Sequence, residues 1–209
     1  MIETQILGRG VTDPYVIGAI RDVPREAFVP PAYRHLAYDD RPLPIEAGQT
    51  ISQPYIVALM IEAAEVRPGH RVLDVGTGSG YAAAVTARIA AEVYTIDRHV
   101  ELVKSACERF AALGYDNIRA RCGDGTLGWP EAAPFDAILV AACGPDAPAA
   151  LREQLKIGGR LLLPVGQPGE SQRLVRIRRG GADEYDVDDL GPVTFVPLIG
   201  AQGWDRDME

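Results

Sequence analysis

The stretch DVGTGSGY at residues 74–81 decides the fold, because it joins a buried strand to a helix through a glycine-rich turn. The apolar run at 71–75 has the length of a strand, and the Ala-rich run at 81–90 is typical of a helix. Glycines in such a turn let the backbone approach a ligand at the carboxyl edge of a sheet. The motif therefore predicts a site for a nucleotide-like ligand.

Short apolar runs alternate with longer helix-like runs from about residue 70 onward, which predicts a parallel sheet with crossover helices. The predicted strands cover residues 71–75, 92–96, 118–122, 135–140 and 160–164. Crossover helices are predicted over 81–90 and 100–113, and Gly114 is placed to end the second one.

The pattern changes after Gly158 and Gly159. Alternating residues at 173–179 and a β-rich run at 193–199 predict two late antiparallel strands, with a turn near Gly180 and Gly181. The fold class predicted is α/β, with a Rossmann-like, doubly wound, mostly parallel sheet and late antiparallel strands.

The N-terminal part of the chain has a different pattern. Residues 15–21 are predicted to be helical, and prolines then interrupt the chain repeatedly at positions 24, 30, 31, 42 and 44. We expect one domain over 1–209, in which residues 1–54 cap the active edge of the α/β core at 55–209.

Composition excludes several classes of function. The formal charge is −8, and no basic run exceeds Arg178–Arg179, so a nucleic-acid partner is not expected. The first 25 residues hold charges and no long apolar run, which predicts neither a signal peptide nor a membrane span, and hence a cytoplasmic protein. Three cysteines without metal-ligand spacing predict buried free thiols and no metal site.

Two common glycine-loop families do not match the spacing. A dinucleotide fingerprint, G-x-G-x-x-G, would place its third glycine at position 81, which is Tyr81. A phosphate-binding loop needs a lysine after its last glycine, and no lysine occurs before Lys104. An NAD site and an NTPase site are therefore disfavoured.

Acidic residues follow three successive strands. Asp97 comes 17 positions after Gly80, where a carboxylate can accept both hydroxyls of a ribose, and Asp124 can accept from an adenine amino group. Asp74 is placed to hold a cationic amino group. Three acids suit a cationic ligand without phosphates, such as S-adenosylmethionine, and would repel a pyrophosphate. The alternative is that Asp74 and Asp97 cap helices and that 123–125 is an ordinary turn.

A second motif, GQTIS at residues 48–52, precedes an apolar helix-like run. Ser52 suits a helix N-cap, with Gln53 and Pro54 beginning the helix. This motif belongs to a longer string, PLPIEAGQTISQPYIVA at 42–58. With VPREAFVP at 23–30, DVGTGSGY, GDGTLGWPEAAPFD at 123–136, GGRLLLPVG at 158–166 and FVPLIG at 195–200, it resembles the protein-L-isoaspartate O-methyltransferase family from about residue 11 to residue 204.

The resemblance implies roles for particular residues. It makes Ser52 the catalytic residue and places three residues against the substrate: Gln49, Thr50 and Ile51. It implies that S-adenosylmethionine is bound by Asp74, Gly76, Thr77, Gly78, Ser79, Asp97, Asp124 and Gly125. Three positions depart from the family pattern: Asp97 replaces a glutamate, Glu46 replaces a common glycine, and AACGPD at 141–146 replaces a Thr-Ala-Ala-rich loop.

The resemblance implies methyl transfer to the α-carboxylate of isoaspartyl residues in damaged proteins, with S-adenosylhomocysteine as the second product, no metal, and a monomeric enzyme. Two alternatives stay open: a related enzyme that methylates an aspartate of a peptide natural product, and a regulatory module that only binds S-adenosylmethionine. Amino-group methylation is disfavoured, because no [ND]-P-P-[YF] motif follows the fourth strand. No histidine is placed to activate Ser52 as a hydrolase nucleophile.

Overall fold

Seven strands form one sheet in the computed structural model, which describes residues 1–167, 171–205 and 207. The strands of this sheet are β3 (Arg71–Val75), β4 (Glu92–Asp97), β5 (Ile118–Cys122), β6 (Phe135–Val140), β7 (Leu155–Val165), β8 (Gln172–Arg179) and β9 (Tyr185–Val193). A separate two-stranded ribbon holds β1 (Leu43–Pro44) and β2 (Thr50–Ile51).

Five α-helices accompany the strands over the described residues. They are α1 (Pro14–Asp22), α2 (Pro54–Ala63), α3 (Tyr81–Ala87), α4 (Val100–Ala112) and α5 (Ala149–Glu153). A π-helical turn covers Ile2–Ile6, and 3-10 helices cover Leu7–Arg9, Arg25–Phe28, Pro31–Leu36, Glu46–Gly48, Gly125–Leu127 and Pro130–Ala132.

The strand order is β5-β4-β3-β6-β7-β8-β9. The first five strands in this order are parallel, while β8 and β9 are each antiparallel to the strand before them. The chain moves outward from β3 to β5 and then returns to place β6 on the other side of β3. This reversal opens a crevice at the carboxyl ends of β3 and β6, where ligands bind in open α/β sheets.

The central strands are buried on both faces, which explains their continuous apolar composition. In β3, Val72 and Leu73 point to opposite faces and belong to two different clusters of buried side chains. The first cluster also contains apolar residues of α2, α3 and α4, and the second contains Leu151 of α5. Helices therefore cover both faces of the parallel part of the sheet, as the predicted α/β fold requires.

Helix α4 illustrates how the sequence produces this packing. Its buried residues are Leu102, Val103, Ala106 and Phe110, whose three- and four-residue spacing places them in one stripe that faces the sheet. The helix ends before Gly114, whose φ of +74° is a left-handed conformation that favours glycine. Gly114 thus has the predicted role of a stop, although α4 ends one residue before the predicted end.

The N-terminal segment packs against the same side of the sheet. Helix α1 begins at Pro14, and the Asp13 carboxylate accepts hydrogen bonds from the backbone N–H groups of Tyr15 at 2.9 Å and Val16 at 3.4 Å. Phe28 is fully buried in the cluster that also contains α2, α3 and α4. The hydrophobic core is thus continuous between the N-terminal segment and the α/β part.

The β8–β9 hairpin forms one edge of the sheet and is rich in charge. It turns where the N–H of Gly180 donates to the carbonyl of Glu184 at 2.8 Å, close to the predicted turn. Arg173 contacts Asp189 at 2.8 Å, and Arg176 contacts Asp188 at 2.7 Å, so ion pairs link the two strands across the hairpin.

Several sequence predictions are confirmed and some are wrong. The strands at 71–75, 118–122 and 135–140 have the predicted bounds, whereas the strand predicted at 160–164 is longer and begins at Leu155. The strand predicted over 193–199 is wrong, because the last strand is Tyr185–Val193 and residues 194–199 make only isolated bridges. Residues 193–199 instead line a cavity at the carboxyl edge of the sheet.

Three smaller predictions also need correction. Ser52 is not the N-cap of α2, since Gln53 holds that position and makes no capping bond through its side chain. The helices after the first two strands of the core end earlier than predicted, at Ala87 and Ala112. The three cysteines are free, as predicted, but Cys107 and Cys122 are exposed and Cys143 alone is buried.

Gly80 lies in the turn before α3, at a point where the turn packs closely against the Phe110 ring. Its φ is +91°, and an added Cβ would lie 2.8 Å from two ring carbons of Phe110. We expect Gly80→Ala to lower the free energy of unfolding by about 3 kcal/mol, from backbone strain and overpacking together. Urea titration followed by circular dichroism measures this change.

Gly10 provides the matched control, because its φ is +93° and an added Cβ would meet nothing within 4 Å. Gly10→Ala should therefore lower the free energy of unfolding by only about 1 kcal/mol, from backbone strain alone. Equal losses in the two variants would contradict the packing argument.

Candidate functional site

A cavity of about 890 Å³ opens at the carboxyl ends of β3 and β6, where the strand order reverses. Three parts of the chain form its walls: the glycine-rich turn at 76–79, the segment at 47–53 that includes β2, and the segment at 192–199 after β9. Cavities of this size commonly bind small ligands. The two sequence motifs that are most informative are therefore brought together in one place.

The glycine-rich turn presents its backbone to this cavity. The N–H groups of Gly76 and Thr77 donate to the carbonyl of Ile96 at 2.9 and 3.3 Å, so β4 anchors the start of the turn. Gly76 and Gly78 have φ values of +98° and +51°. At Gly76 an added Cβ would also meet the Ala141 side chain at 3.3 Å, so a side chain would both strain and crowd the turn.

Asp97 ends β4 and is buried at the wall of the cavity. Its two carboxylate oxygens accept from the N–H of Gly78 at 2.9 Å and from the N–H of His99 at 3.0 Å. Each carboxylate oxygen has two lone pairs, so capacity remains to accept from a ligand. Asp97 thus both holds the glycine-rich turn and offers an acceptor to the cavity.

Asp74 lies below the turn and does not line the cavity. Its carboxylate accepts from the Thr95 hydroxyl at 2.7 Å, and the Thr95 and Thr77 hydroxyls are hydrogen-bonded at 2.7 Å. Burial raises the pKa of the Asp74 carboxyl to about 7, the Thr95 hydrogen bond opposes this rise, and the charge of Asp97 adds to it. Asp74 is thus linked to Thr77 through Thr95.

Asp124 and Gly125 line two different cavities that adjoin each other. Gly125 lines the main cavity, whereas Asp124 lines a smaller neighbouring cavity of about 460 Å³ that shares Arg98 and Ile199 with the main one. The Asp124 carboxylate accepts from the N–H of Thr126 at 2.9 Å and from that of Ala201 at 2.7 Å. The segment around residue 201 therefore covers the position predicted to contact an adenine.

The GQTIS segment enters the cavity through the small ribbon. Ile51 pairs with Leu43, which fixes β2 against β1. The cavity is lined by all four predicted residues of this segment, which are Gln49, Thr50, Ile51 and Ser52. Ser52 is half-buried, and its hydroxyl makes no hydrogen bond to any residue that the structure describes. Since it caps no helix, the hydroxyl is left to face the cavity.

Glu46, a departure from the family pattern, does not line the cavity. Its carboxylate contacts the Arg109 guanidinium at 3.3 Å, and Arg109 also donates to the carbonyl of Ser79 at 3.1 Å. Its negative charge is therefore offset by a cation that also supports the glycine-rich turn. The loop at 141–146, which also departs from the family pattern, contributes Ala141 and Ala142 to the wall of the cavity.

Tyr81 joins the glycine-rich turn to the N-terminal segment. Its ring lies 5.7 Å from that of Phe28, edge to face, and the Arg25 guanidinium carbon stands 4.7 Å from its centroid. Arg25 is fully buried, donates to the carbonyl of Ala37 at 2.8 Å, and has a pKa lowered by burial. These contacts fix the N-terminal segment against the turn.

Sequence reasoning missed several residues of the site. Thr95 lies mid-strand, where a threonine is ordinary, and Arg9 lies far from either motif in sequence. The segment at 192–199 is held by Gln172, whose amide donates to the carbonyl of Phe195 at 3.0 Å and accepts from its N–H at 2.6 Å. Only the apolar composition of FVPLIG could have indicated a buried wall.

Over 1–167, 171–205 and 207, no group of three or more His, Cys, Asp or Glu side chains could hold a metal ion. Within those same ranges, no helix has both the length and the apolar character needed to cross a membrane.

Comparison with known proteins decides the family. The family model described as protein-L-isoaspartate(D-aspartate) O-methyltransferase matches residues 1–203. This chain belongs to the protein-L-isoaspartate O-methyltransferase family. The protein-L-isoaspartate O-methyltransferase 2 of Pelobacter propionicus is 56% identical over 98% of this chain and 91% of its own length. That of Methylorubrum extorquens is 58% identical over 97% and 88%. The resemblance inferred from the sequence is confirmed.

Solved structures agree with this assignment. A protein-L-isoaspartate O-methyltransferase superposes with a TM-score of 0.85 at 29% identity, over 97% of this chain and 67% of that one. A β-aspartate methyltransferase from Plasmodium falciparum, in complex with S-adenosyl-L-homocysteine, gives 0.80 at 27% identity over 92% and 94%. The predicted fold class, a mostly parallel α/β sheet with late antiparallel strands, is confirmed.

Asp74→Asn should change how stability depends on pH. Because the pKa of Asp74 rises from its ordinary 3.8 to about 7 on folding, the folded state binds more protons than the unfolded state between those values. Its contribution to stability therefore falls as pH rises from about 4 to 7 and is constant above. We expect the free energy of unfolding, wild type minus Asp74→Asn, to fall by about 2 kcal/mol between pH 5 and pH 8.

Urea titrations at several pH values measure this difference. Asparagine can still accept the Thr95 hydrogen bond, so the substitution removes the charge with little loss of contact. Asp39→Asn is the control, because the Asp39 side chain is half-exposed. The same pH dependence in both variants would show that burial of Asp74 is not its cause.

Proposed function

We propose that this protein transfers a methyl group from S-adenosylmethionine to the free α-carboxylate of L-isoaspartyl residues in damaged proteins or peptides, which initiates their repair. The observation that carries the proposal is that the glycine-rich turn and the GQTIS segment line one cavity. Family membership over residues 1–203 supports the same activity. The natural-product alternative has no comparable support, since the most similar relatives carry the repair enzyme's name.

The cavity suits S-adenosylmethionine, and S-adenosylhomocysteine as the product. Its volume of about 890 Å³ falls within the range for small-molecule sites. Asp97 would accept the ribose hydroxyls, and the backbone of Gly76, Thr77, Gly78 and Ser79 would border the ligand. An added Cβ at Gly125 would lie 2.5 Å from Val75, so its backbone packs close to β3. No metal is required by this chemistry.

Asp74 would act on the cofactor through the turn and not by direct contact, because it lies outside the cavity lining. Asp124 would contact an adenine only at the boundary between the two cavities. Both roles depend on the geometry of neighbouring backbone, which Asp74 fixes through Thr95 and Asp124 through Ala201.

The reaction needs positioning more than acid–base chemistry. A free α-carboxyl group has a reference pKa of about 3.5, so the acceptor is already ionised at neutral pH. When bound, S-adenosylmethionine supplies the methyl group, and its positively charged sulfur is a good leaving group. The protein's part is to hold the acceptor in line and to exclude water from it, through apolar walls that include Ile51, Val57 and Leu198.

Ser52 would orient the acceptor. Its hydroxyl is half-buried, faces the cavity and has no partner among the described residues, so it can donate to the carboxylate or to the adjacent peptide. It would not act as a nucleophile. His70 accepts a hydrogen bond from the N–H of Arg67 and lies outside the cavity lining, and His99 follows Asp97 on the cofactor side.

Other properties of the molecule support a cytoplasmic, monomeric, single-domain enzyme. Its three free thiols suit a reducing compartment. Among the described residues, the exposed large apolar side chains, which include Tyr15, Val100 and Ile157, belong to separate elements. The continuous core between residues 1–54 and the α/β part supports one domain with an N-terminal cap. Isoaspartyl proteins would be its partners, with neither nucleic acid nor a membrane involved.

Ser52→Ala tests the orienting role. Loss of a hydrogen bond to a charged group costs about 1.5–3 kcal/mol, so kcat/KM for an isoaspartyl peptide should fall by roughly 10- to 100-fold. The affinity for S-adenosylmethionine should stay within about twofold, because Ser52 would touch only the acceptor. Initial rates and calorimetric titration measure the two quantities.

Ser105→Ala is the matched control, because Ser105 is half-buried on α4 and does not line the cavity. Tritiated methyl transfer to the isoaspartyl peptide, to its normal aspartyl twin and without peptide tests the function itself. Comparable labelling of the aspartyl twin would refute the repair activity, and no labelling would favour a module that only binds the cofactor.

A further inference from the structure

Arg9 lines the cavity beside the GQTIS segment, although it comes from the N-terminal 3-10 helix Leu7–Arg9. We propose that Arg9 is the residue by which this enzyme distinguishes the ionised acceptor from its neutral methyl ester. This inference rests on the proposed function and adds a specificity determinant to it. Four observations carry it: the position of Arg9, its fixed geometry, its free donors and the distribution of charge around the cavity.

Contacts from two directions fix the guanidinium. Its central carbon lies 3.4 Å from the centroid of the Tyr55 ring, a cation–π contact with the second residue of α2. Its Nη1 atom donates to the Asp40 carboxylate at 2.8 Å. The side chain still has 46% of its surface exposed, so it is accessible to a ligand that enters the cavity.

Asp40 orients Arg9 without using all of its donors. The Asp40 carboxylate also accepts from the Gln53 side chain at 2.7 Å and from the N–H of Tyr55 at 3.2 Å, so three donors share it. A guanidinium group has five N–H donors, and the only hydrogen-bond acceptor that Arg9 contacts among the described residues is Asp40. Most of its donors are therefore available to an incoming carboxylate.

The charges around the cavity are divided between its two ends. Asp97, Arg98 and His99 lie together after β4, on the cofactor side. At the other end, next to Ser52 and Gln53, Arg9 is the single charged residue in the part of the lining that the structure describes. An anionic acceptor that approaches Ser52 therefore meets the Arg9 guanidinium, which is ion-paired with Asp40.

Methyl transfer removes the negative charge of the acceptor, and a cation at this position can respond to that change. As the acceptor oxygen forms its bond to the methyl carbon, the carbon–sulfur bond breaks and its electron pair stays on sulfur. The acceptor thereby changes from a carboxylate to a neutral ester. A guanidinium forms strong charge-assisted hydrogen bonds with a carboxylate and much weaker ones with an ester. Arg9 would thus favour binding of the substrate and release of the product.

Arg9→Gln tests this inference with two ligands that differ only in charge. One is an isoaspartyl peptide, and the other is the same peptide with its α-carboxylate replaced by a carboxamide, a stable neutral analogue of the ester. We expect KM for the acid to rise by about tenfold, which corresponds to about 1.4 kcal/mol, with kcat within about twofold. The inhibition constant of the carboxamide should be nearly unchanged.

Two further variants serve as controls. Arg9→Lys keeps the charge but loses the planar fork, so it should recover part of the preference for the acid. Arg88→Gln removes an exposed arginine that stands 4.6 Å from the Tyr115 ring and does not line the cavity, and it should change neither ligand's binding. Calorimetric affinity for S-adenosylmethionine and thermal unfolding report whether Arg9→Gln disturbs the fold.

The outcomes separate this inference from the proposed function. Equal weakening of acid and carboxamide, weakened cofactor binding, or an unchanged KM in Arg9→Gln would overturn the role of Arg9. Failure of the wild-type enzyme to label the isoaspartyl peptide would instead refute the proposed function. In that case, calorimetric binding of the acid and the carboxamide to wild type and Arg9→Gln would still test Arg9 directly.

Discussion

The hydrogen bonds from Thr77 through Thr95 to Asp74 lie beneath the cavity, and the position of the glycine-rich turn depends on them. A carboxyl group without access to water is costly unless it is hydrogen-bonded, and within the described residues only the Thr95 hydroxyl reaches Asp74 directly. That hydroxyl belongs to β4, whose last residue, Asp97, holds the N–H of Gly78 from above. The turn is therefore attached to β4 at two levels, through Thr77 and through Gly78.

The N-terminal segment completes the site because it packs against the same turn. Phe28 and Arg25 contact the ring of Tyr81, which begins α3. The GQTIS segment is the last part of this N-terminal segment and leads into α2, and Arg9 reaches the same region through Asp40. The glycine-rich turn and the GQTIS segment thus pack on one hydrophobic core, which includes Tyr81 and Ile51, so a change of packing beside one can shift the other.

Sequence periodicity was sufficient for the parallel strands, because strands buried on both faces have continuous apolar runs that few other elements share. The motifs also located Ser52 and Asp97 in the cavity. Periodicity and motifs do not show which distant segments meet in the folded protein. Arg9 approaches the site only because the N-terminal turn folds onto α2, and the run at 193–199 is apolar because it faces a cavity, which period and propensity cannot distinguish from a strand.

The outer strand β9 forms an edge of the sheet, and its residues affect whether another chain can add to that edge. Damaged proteins offer extended, partly unfolded chains, and an open sheet edge can capture such chains by adding them as further strands. Along β9, Asp188 and Asp189 are held in ion pairs with arginines of β8, and Pro192 near its end removes one backbone donor. Charged side chains and a proline on an edge strand hinder the addition of a further strand, so β9 offers such chains a poor template.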